Sequence, residues 1–487
     1  MSEDPSLTPA TARPSRKAAL KEFAARWALR RNDFIERGRA FHEQDHRYLR
    51  FLIPEGLKVL EVGCGTGQLL AALKPAKGVG VDISPEMIGI ARAHNPTLDF
   101  IIGDIETPET VDALGGPYDV IVLSDTIGLL EDCQNTLAGL RKLCTAETRI
   151  VISYYNYLWE PVLKLTEFLG LRMPSPLTNW LKPADIANLL MLVDFEVVRE
   201  DWRQLIPMRL LGLGSLINRF VATLPLIRRF CLRNYLVARP LWLREKPPAS
   251  VSVIIPCRNE RGNVEPIVQR LPKFCDDIEI VFIEGHSSDG TYEEMERVAK
   301  LYPDRDIKLM RQTGRGKGNA VYEAFTAARG ELLMILDADM TVAPEDLPKF
   351  YQAVATDKGE FVNGSRLVYP REEDAMRLLN LIANHGFSIV FSWLLNQRFT
   401  DTLCGTKVLR RHHWDSIQAN RAYFGDFDPF GDFDLIFGAS KLNLKIVEIP
   451  IPYAARLYGE TQISRFSHGW LLLRMVSFAY FKLKTMR

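Results

Sequence analysis

The chain has 487 residues, 47% of them hydrophobic, and its 61 lysines and arginines nearly cancel 60 aspartates and glutamates. This length predicts roughly two to four domains, and the charge balance excludes a bulk electrostatic signal for nucleic acid. The seven cysteines lack CxxC pairs and neighbouring histidines, so they read as free thiols in a reducing compartment, with neither a disulfide framework nor a zinc site suggested.

Residues 1–39 read as a polar tail and a leading helix, and they lack the apolar core of a signal peptide. No stretch reaches the roughly 18 uninterrupted apolar residues of a membrane-spanning helix. Residues 40–200 carry short β-rich runs, LKVLEV, VGVDI, DFIIGD, YDVIVLS and TRIVISY, separated by helix-compatible segments. That alternation predicts a doubly wound, mostly parallel α/β sheet. A helix should start after Gly67, and the next should use Ser84 as its cap with Pro85 in the first turn.

Residues 201–249 read as a basic, apolar linker. Between Trp202 and Lys246, Arg203, Arg209, Arg219, Arg228, Arg229, Arg233, Arg239, Arg244 and Lys246 face one acid, Glu245. Arginines beside LLGLGSLI, FVATLPLI and YLVARPLWL suit a segment lying on an anionic membrane surface. The tail 463–487, with HGWLLLRMVSFAYFKLK, reads as a basic amphipathic helix of the same kind. The alternative for both segments is a helix that packs a domain.

A second α/β core spans 250–462 and starts after EKPPAS. Its strands are SVSVIIP, IEIVFIEG, IKLMRQ and GELLMILDAD, with helices VEPIVQRLPKF and GNAVYEAFTAAR between them. The segment AMRLLNLIANHGFSIVFSWLLNQRFTD reads either as an acceptor groove or as a helix packed on this core.

In the first core, VLEVGCGTG places Gly63, Gly65 and Gly67 straight after a strand, where the absent Cβ lets the backbone approach a ligand. Asp82 ends the next strand, where a carboxylate can accept hydrogen bonds from a ribose. The G-x-G-x-G spacing differs from the dinucleotide pattern. EVGCGTG, VDIS, the GD at 103–104 and YDVIVLSD resemble class I S-adenosylmethionine-dependent methyltransferases. The resemblance implies Glu61, Gly63, Gly65 and Gly67 under the methionine part of S-adenosyl-L-methionine, Asp82 on the ribose, Ile83 on adenine, and Asp104 and Ile105 flanking the base. Ser124, Asp125 and the cluster Ser153, Tyr154, Tyr155, Asn156, Tyr157 and Trp159 follow later strands. They either shape an acceptor pocket or pack a cap; His46 and Asp125 are candidate bases.

In the second core, Asp337 and Asp339 stand behind the apolar run Leu332–Leu336, and an extended strand end would turn both to one side. Such a pair is repulsive unless a hard divalent ion bridges it to phosphate. Arg258, Asn259 and Glu260 end the first strand, and Glu284, Ser287 and Asp289 follow the second. Arg315 and Lys317 sit in the glycine loop RQTGRGKGNA, which can wrap phosphate.

That order resembles inverting family 2 glycosyltransferases of GT-A fold, especially the dolichyl- and polyprenyl-phosphate sugar transferases. The resemblance implies Pro256, Arg258, Asn259, Glu260, Glu284 and Asp289 around the nucleotide of a nucleotide-sugar donor. It makes Asp337 and Asp339 the pair holding Mg2+ or Mn2+. Arg366, Asp401 and the Gly405 backbone would lie nearby, Asp434 or Asp432 would act as a base toward an alcohol acceptor, and the loop from Arg456 to Ser464 would close over the phosphates. The sequence departs from the pattern at Glu284-Gly285-His286-Ser287, where DDGS is common, and at Thr461-Gln462, where a basic residue is common. His286 reads as a loop residue.

Together these features imply a bifunctional transferase of glycolipid or polysaccharide biosynthesis, cytoplasmic and peripheral on the inner face of the plasma membrane. Its acceptor would be a polyprenyl phosphate or another lipid-linked molecule. The alternatives are a glycosyltransferase with a non-catalytic S-adenosylmethionine-binding or docking module, and a soluble transferase using a small alcohol. Oligomeric state is not encoded in these features.

Overall fold

The computed structural model describes residues 16–175, 178–208, 210–244, 246–368, 378–423, 433–452, 458 and 473–486. The chain divides into two compact units, Met1–Pro240 and Leu241–Arg487.

The first unit is built on seven strands: β1 (Lys58–Val62), β2 (Lys77–Asp82), β3 (Asp99–Ile102), β4 (Tyr118–Ser124), β5 (Cys144–Tyr155), β6 (Phe195–Arg203) and β7 (Arg233–Pro240). Their order is β3-β2-β1-β4-β5-β7-β6. The first five pair in parallel and β7 runs antiparallel to both neighbours. Leu60, Val62, Val81, Ile121, Leu123, Ile150 and Ile152 are buried in its core, and Leu70 and Ile88 on the flanking helices are fully buried too. Burial on both faces is why these strands read as continuous apolar runs. Ser84 accepts from Met87 N at the start of helix Pro85–His94, the expected cap.

Residues 201–249, expected as a linker, instead complete β6 and supply all of β7. YLVARPLWL is therefore mostly a central strand. Arg203, Arg233 and Arg239 are 5%, 0% and 1% exposed, and they pair with Asp201, with Asp45 and Asp125, and with Glu196. A buried guanidinium cannot meet a headgroup, so much of the basic character attributed to this stretch is internal.

The second unit has β8 (Ser250–Cys257), β9 (Asp277–Glu284), β10 (Asp306–Arg311), β11 (Leu332–Ile335), β12 (Phe361–Ser365), β13 (Lys407–Arg410) and β14 (Ile446–Pro450), in the order β10-β9-β8-β11-β13-β12-β14. The first four are parallel, and β13 is antiparallel to both β11 and β12. β11 stops at Ile335, and the chain turns through Asp337–Met340, with Met340 at φ +51°. The two aspartates thus sit in a turn, which corrects the expectation of an extended end presenting both on one side.

Phe391, Leu394 and Leu395 of helix Leu378–Leu395 are buried, and Phe391 packs on Phe433 and Phe437 with ring centroids 5.5 and 6.1 Å away. This part of the segment is a core helix. The described end of the tail also packs inward: Met475, Ala479 and Leu483 are fully buried, and Lys484 Nζ donates to Asn396 at 2.6 Å. Over 473–486 the expected membrane-facing helix is therefore a packing element. Among the described residues no helix is long and apolar enough to cross a membrane.

Candidate active sites

In the first unit the glycine turn leaves β1 at the switch between β2 and β4, where ligands bind in doubly wound sheets. Gly63 has φ +72°, and a Cβ there would lie 2.3 Å from Thr126 Oγ1, so only glycine fits. Asp82 accepts from Gly65 N at 2.8 Å and Ser84 N at 3.0 Å. One carboxylate thereby fixes the turn and the start of the following helix. Glu61 is buried beneath and accepts from Leu70 N at 2.9 Å. Burial pushes its carboxyl up to about 8 against the pull of that N–H and of Arg31.

Above this floor lies a cavity of about 180 Å3, lined by Gly63, Gly65, Asp82, Ile83, Asp104 and Ile105 among others. The structure brings these six expected residues together; Gly67 caps the helix beyond. A positive-φ glycine floor, an acid at a strand end and apolar walls fit S-adenosylmethionine.

The roof is helix Arg16–Arg37, whose part in the site the sequence reading missed. Leu20, Phe23 and Arg31 line the cavity. Lys17 Nζ lies 2.8 Å from Asp104 and 3.2 Å from Glu106, and Asn32 accepts from Thr66 Oγ1 and Gln68 Nε2.

Of the two candidate bases, Asp125 lines the cavity and His46 does not. Asp125 has φ +58° and donates its N–H to Ser153 O at 2.8 Å. Its carboxylate meets the Arg233 guanidinium, which also reaches Ser153 Oγ at 3.0 Å and Asp45 Oδ1 at 3.0 Å. Tyr155 stacks on Phe41 and lies under both Arg172 and Arg233. Tyr154, by contrast, is core.

In the second unit the ends of β8 and β9 are stitched together. Asn259 N donates to Ser287 Oγ at 3.0 Å and Ser288 N to Asn259 Oδ1 at 2.9 Å. Arg261 N and Thr291 N both donate to Asp289, Glu260 accepts from Asn263 Nδ2 at 2.6 Å, and Glu284 takes Ser287 N. His286 Nε2 lies 2.9 Å from Gly314 O, joining this pair of loops to the glycine loop. Arg258 and Arg315 remain exposed and Pro256 half-buried, so the framework holds its acids and leaves its arginines outward.

Asp337 is the electrostatic centre. Lys317 Nζ lies 2.6 Å from its Oδ1. Burial opposes its ionisation, but Lys317, Lys407 and Arg366 outweigh this and hold its carboxyl below the usual range. A Cβ at Gly405 would fall 2.0 Å from Asp337 Oδ2. Asp339 accepts from Thr341 N at 3.1 Å and Thr341 Oγ1 at 2.8 Å. Two hard-oxygen carboxylates, one already facing an ammonium, fit Mg2+ or Mn2+.

Other expected residues have different partners. Arg366 grips Asp401 through Nε and Nη2, both at 2.8 Å, so its guanidinium is committed within the protein. Asp434 is 5% exposed; it accepts from Tyr322 OH at 3.0 Å and lies 3.5 Å from Arg421. Asp432, Arg456 and, apart from Tyr458, the closing loop through Ser464 lie outside the described residues. Fully buried Lys407 was missed, because nothing local in CGTK distinguishes it from a surface lysine.

Comparison with known proteins follows the same division. The chain is 28% identical over 218 residues to dolichol-phosphate mannosyltransferase of Pyrococcus furiosus, a match covering 44% of this chain and 59% of that protein. It is 29% identical over 226 residues to polyprenol monophosphomannose synthase of Mycolicibacterium smegmatis, covering 45% and 83%. Among solved structures, magnesium protoporphyrin IX methyltransferase from Synechocystis, with bound SAH, is 20% identical, covers 46% of this chain and 99% of that one, and has a TM-score of 0.34. Residues 35–200 match the methyltransferase domain model and residues 252–419 match glycosyl transferase family 2. The chain is a fusion of a methyltransferase domain with a family 2 glycosyltransferase domain.

Proposed function

We propose that the chain is a bifunctional transferase of glycolipid or polysaccharide biosynthesis, working at the inner face of the plasma membrane. The second unit transfers a glycosyl group from a nucleotide sugar, with inversion, to a polyprenyl phosphate or another lipid-linked acceptor. The first unit transfers a methyl group from S-adenosylmethionine. The observation that carries the glycosyl reading is Asp337 ringed by Lys317, Lys407 and Arg366 beyond β11. The names of the two mannosyl-transferring relatives support a lipid-phosphate acceptor.

Held by Asp337 and Asp339, a divalent ion supplies charge neutralisation for the leaving diphosphate. Lys317 and Arg315 present further positive charge to it. A phosphate acceptor is already anionic and needs positioning more than deprotonation. No base is then required, in keeping with an Asp434 carboxylate already engaged by Tyr322 and Arg421. In the first unit, bound S-adenosylmethionine supplies an electrophilic methyl group. Gly63 and Gly65 admit it closely, Asp82 orients it, and Asp125 faces the acceptor's proton.

The test is a donor-hydrolysis screen of the intact protein with a nucleotide-sugar panel and Mg2+ or Mn2+, with and without polyprenyl phosphate. Metal-dependent release of nucleoside diphosphate, accelerated by the lipid phosphate, is expected. Turnover insensitive to chelation and to Asp337→Ala overturns the glycosyl reading. Titration with S-adenosylmethionine and a methyl-transfer assay test the first unit.

A further inference from the structure

β6 and β7 form a hairpin whose register pairs Arg203 with Arg233, yet the whole of 204–232 lies between them. A hairpin needs only about two to five residues to turn. The insertion is folded inside out. Gly214, Asn218, Ala222 and Thr223 face inward, with Asn218 bonded to Gln44 Oε1 at 2.8 Å and to the backbone of Ile206. Leu211, Leu213, Leu216, Leu224, Leu226 and Phe230 face outward, Leu226 at 81% exposure and Phe230 at 62%.

Helix Glu160–Phe168 and the turn after it repeat this inversion. Val162, Leu165, Phe168, Leu169 and Leu171 are exposed, Phe168 at 87%. The two segments adjoin: Trp159 Nε1 donates to Phe230 O at 2.8 Å and Asn156 Nδ2 to Arg229 O at 2.9 Å. Scattered surface leucines need no explanation, but a joined apolar face of this extent marks a contact surface.

Charge selects the occupant. Residues 204–232 contain four arginines, 209, 219, 228 and 229, and no acid; Arg229 is exposed and Arg219 and Arg228 half-buried, and the two acids of the adjoining helix, Glu160 and Glu167, are paired with Lys164 and Arg172. Bulky apolar groups among arginines match an interface of acyl chains and anionic headgroups. The face also leads toward the cavity. Met173, two residues past exposed Leu171, lines it, and Arg172 lies 4.6 Å over the Tyr155 ring.

We propose that the methyltransferase unit docks on an anionic bilayer through this face, and that its methyl acceptor is an amphiphile whose headgroup enters the cavity beside Asp125. The acceptor's lone pair forms the bond to the methyl carbon, the carbon–sulfur pair stays on sulfur, and the acceptor's proton passes to Asp125. The acceptor class rests on the methyl-transfer reading; the docking does not.

The test uses the full chain and sedimentation with vesicles of phosphatidylcholine containing about one-third phosphatidylglycerol, against phosphatidylcholine alone. Wild type should partition onto the anionic vesicles. The paired variants Leu211→Asp/Leu226→Asp and Phe168→Asp/Leu169→Asp should each lower partitioning about tenfold, with S-adenosylhomocysteine affinity by calorimetry unchanged. Failure of wild type to bind, equal binding by both variants, or a wild-type dimer that the variants dissociate would each overturn the docking. Radiolabelled methyl from S-adenosylmethionine should enter the organic phase of a membrane lipid extract; label confined to the aqueous phase overturns the acceptor class. Asp337→Ala should retain vesicle binding, which keeps failure of the glycosyl reading distinguishable.

Discussion

The two sites place an acid at the same kind of position, at or just past the end of a parallel strand, and then treat it oppositely. Asp82 is satisfied by two neutral backbone N–H groups, whereas Asp337 is surrounded by Lys317, Lys407 and Arg366. Neutral donors fix a carboxylate while leaving its charge in place, which suits a ligand presenting hydroxyls or a positive sulfur. Cations cancel the charge of the acid they surround, which suits a ligand bearing two phosphates. One architecture therefore serves two chemistries through the partners given to a strand-end acid.

The largest test of this contrast is Asp337→Ala, which should lower glycosyl transfer about a thousandfold while leaving S-adenosylhomocysteine affinity unchanged by calorimetry. Equal loss of both would erase the distinction. Asp82→Ala should do the converse, weakening S-adenosylhomocysteine about a hundredfold as the turn loses its acceptor, with donor hydrolysis intact.

Glu61 sharpens the point about neutral surroundings. Burial raises its carboxyl to about 8, so between its ordinary value of 4.5 and about 8 the native state keeps a proton that the unfolded chain releases. Stability must fall as pH rises through that window, by up to about 5 kcal/mol. Glu61→Gln should remove this slope in denaturant titrations at pH 5 and pH 8.5. The smallest effect belongs to Lys317→Met. Relieved of the ammonium 2.6 Å away, Asp337 should bind Mn2+ alone about threefold more tightly in spectroscopic titration, while nucleoside diphosphate binds more weakly.

Much of the two sites was legible because apolar runs ending in glycine or acid announce buried strands with polar exits. β7 was not. RNYLVARP looks like a basic connector, since Arg233 finds Asp45 and Asp125 at sequence separations of 188 and 108, and no local pattern reveals such partners. The roof helix was equally silent: Lys17 is an ordinary lysine until Asp104 is folded beneath it. The turn at Asp337–Met340 escaped because Met340, which favours no left-handed backbone intrinsically, adopts φ +51° there. The committed states of Arg366 and Asp434 likewise follow from tertiary partners rather than from their motifs.

Arg233 also bears on where the unit can be cut. It is the shared countercharge of Asp45 and Asp125, yet the ribosome adds it long after both and beyond residue 200, where the methyltransferase match stops. A fragment cut at that boundary strands two carboxylates without their guanidinium, so it should be less stable than one that runs through Pro240.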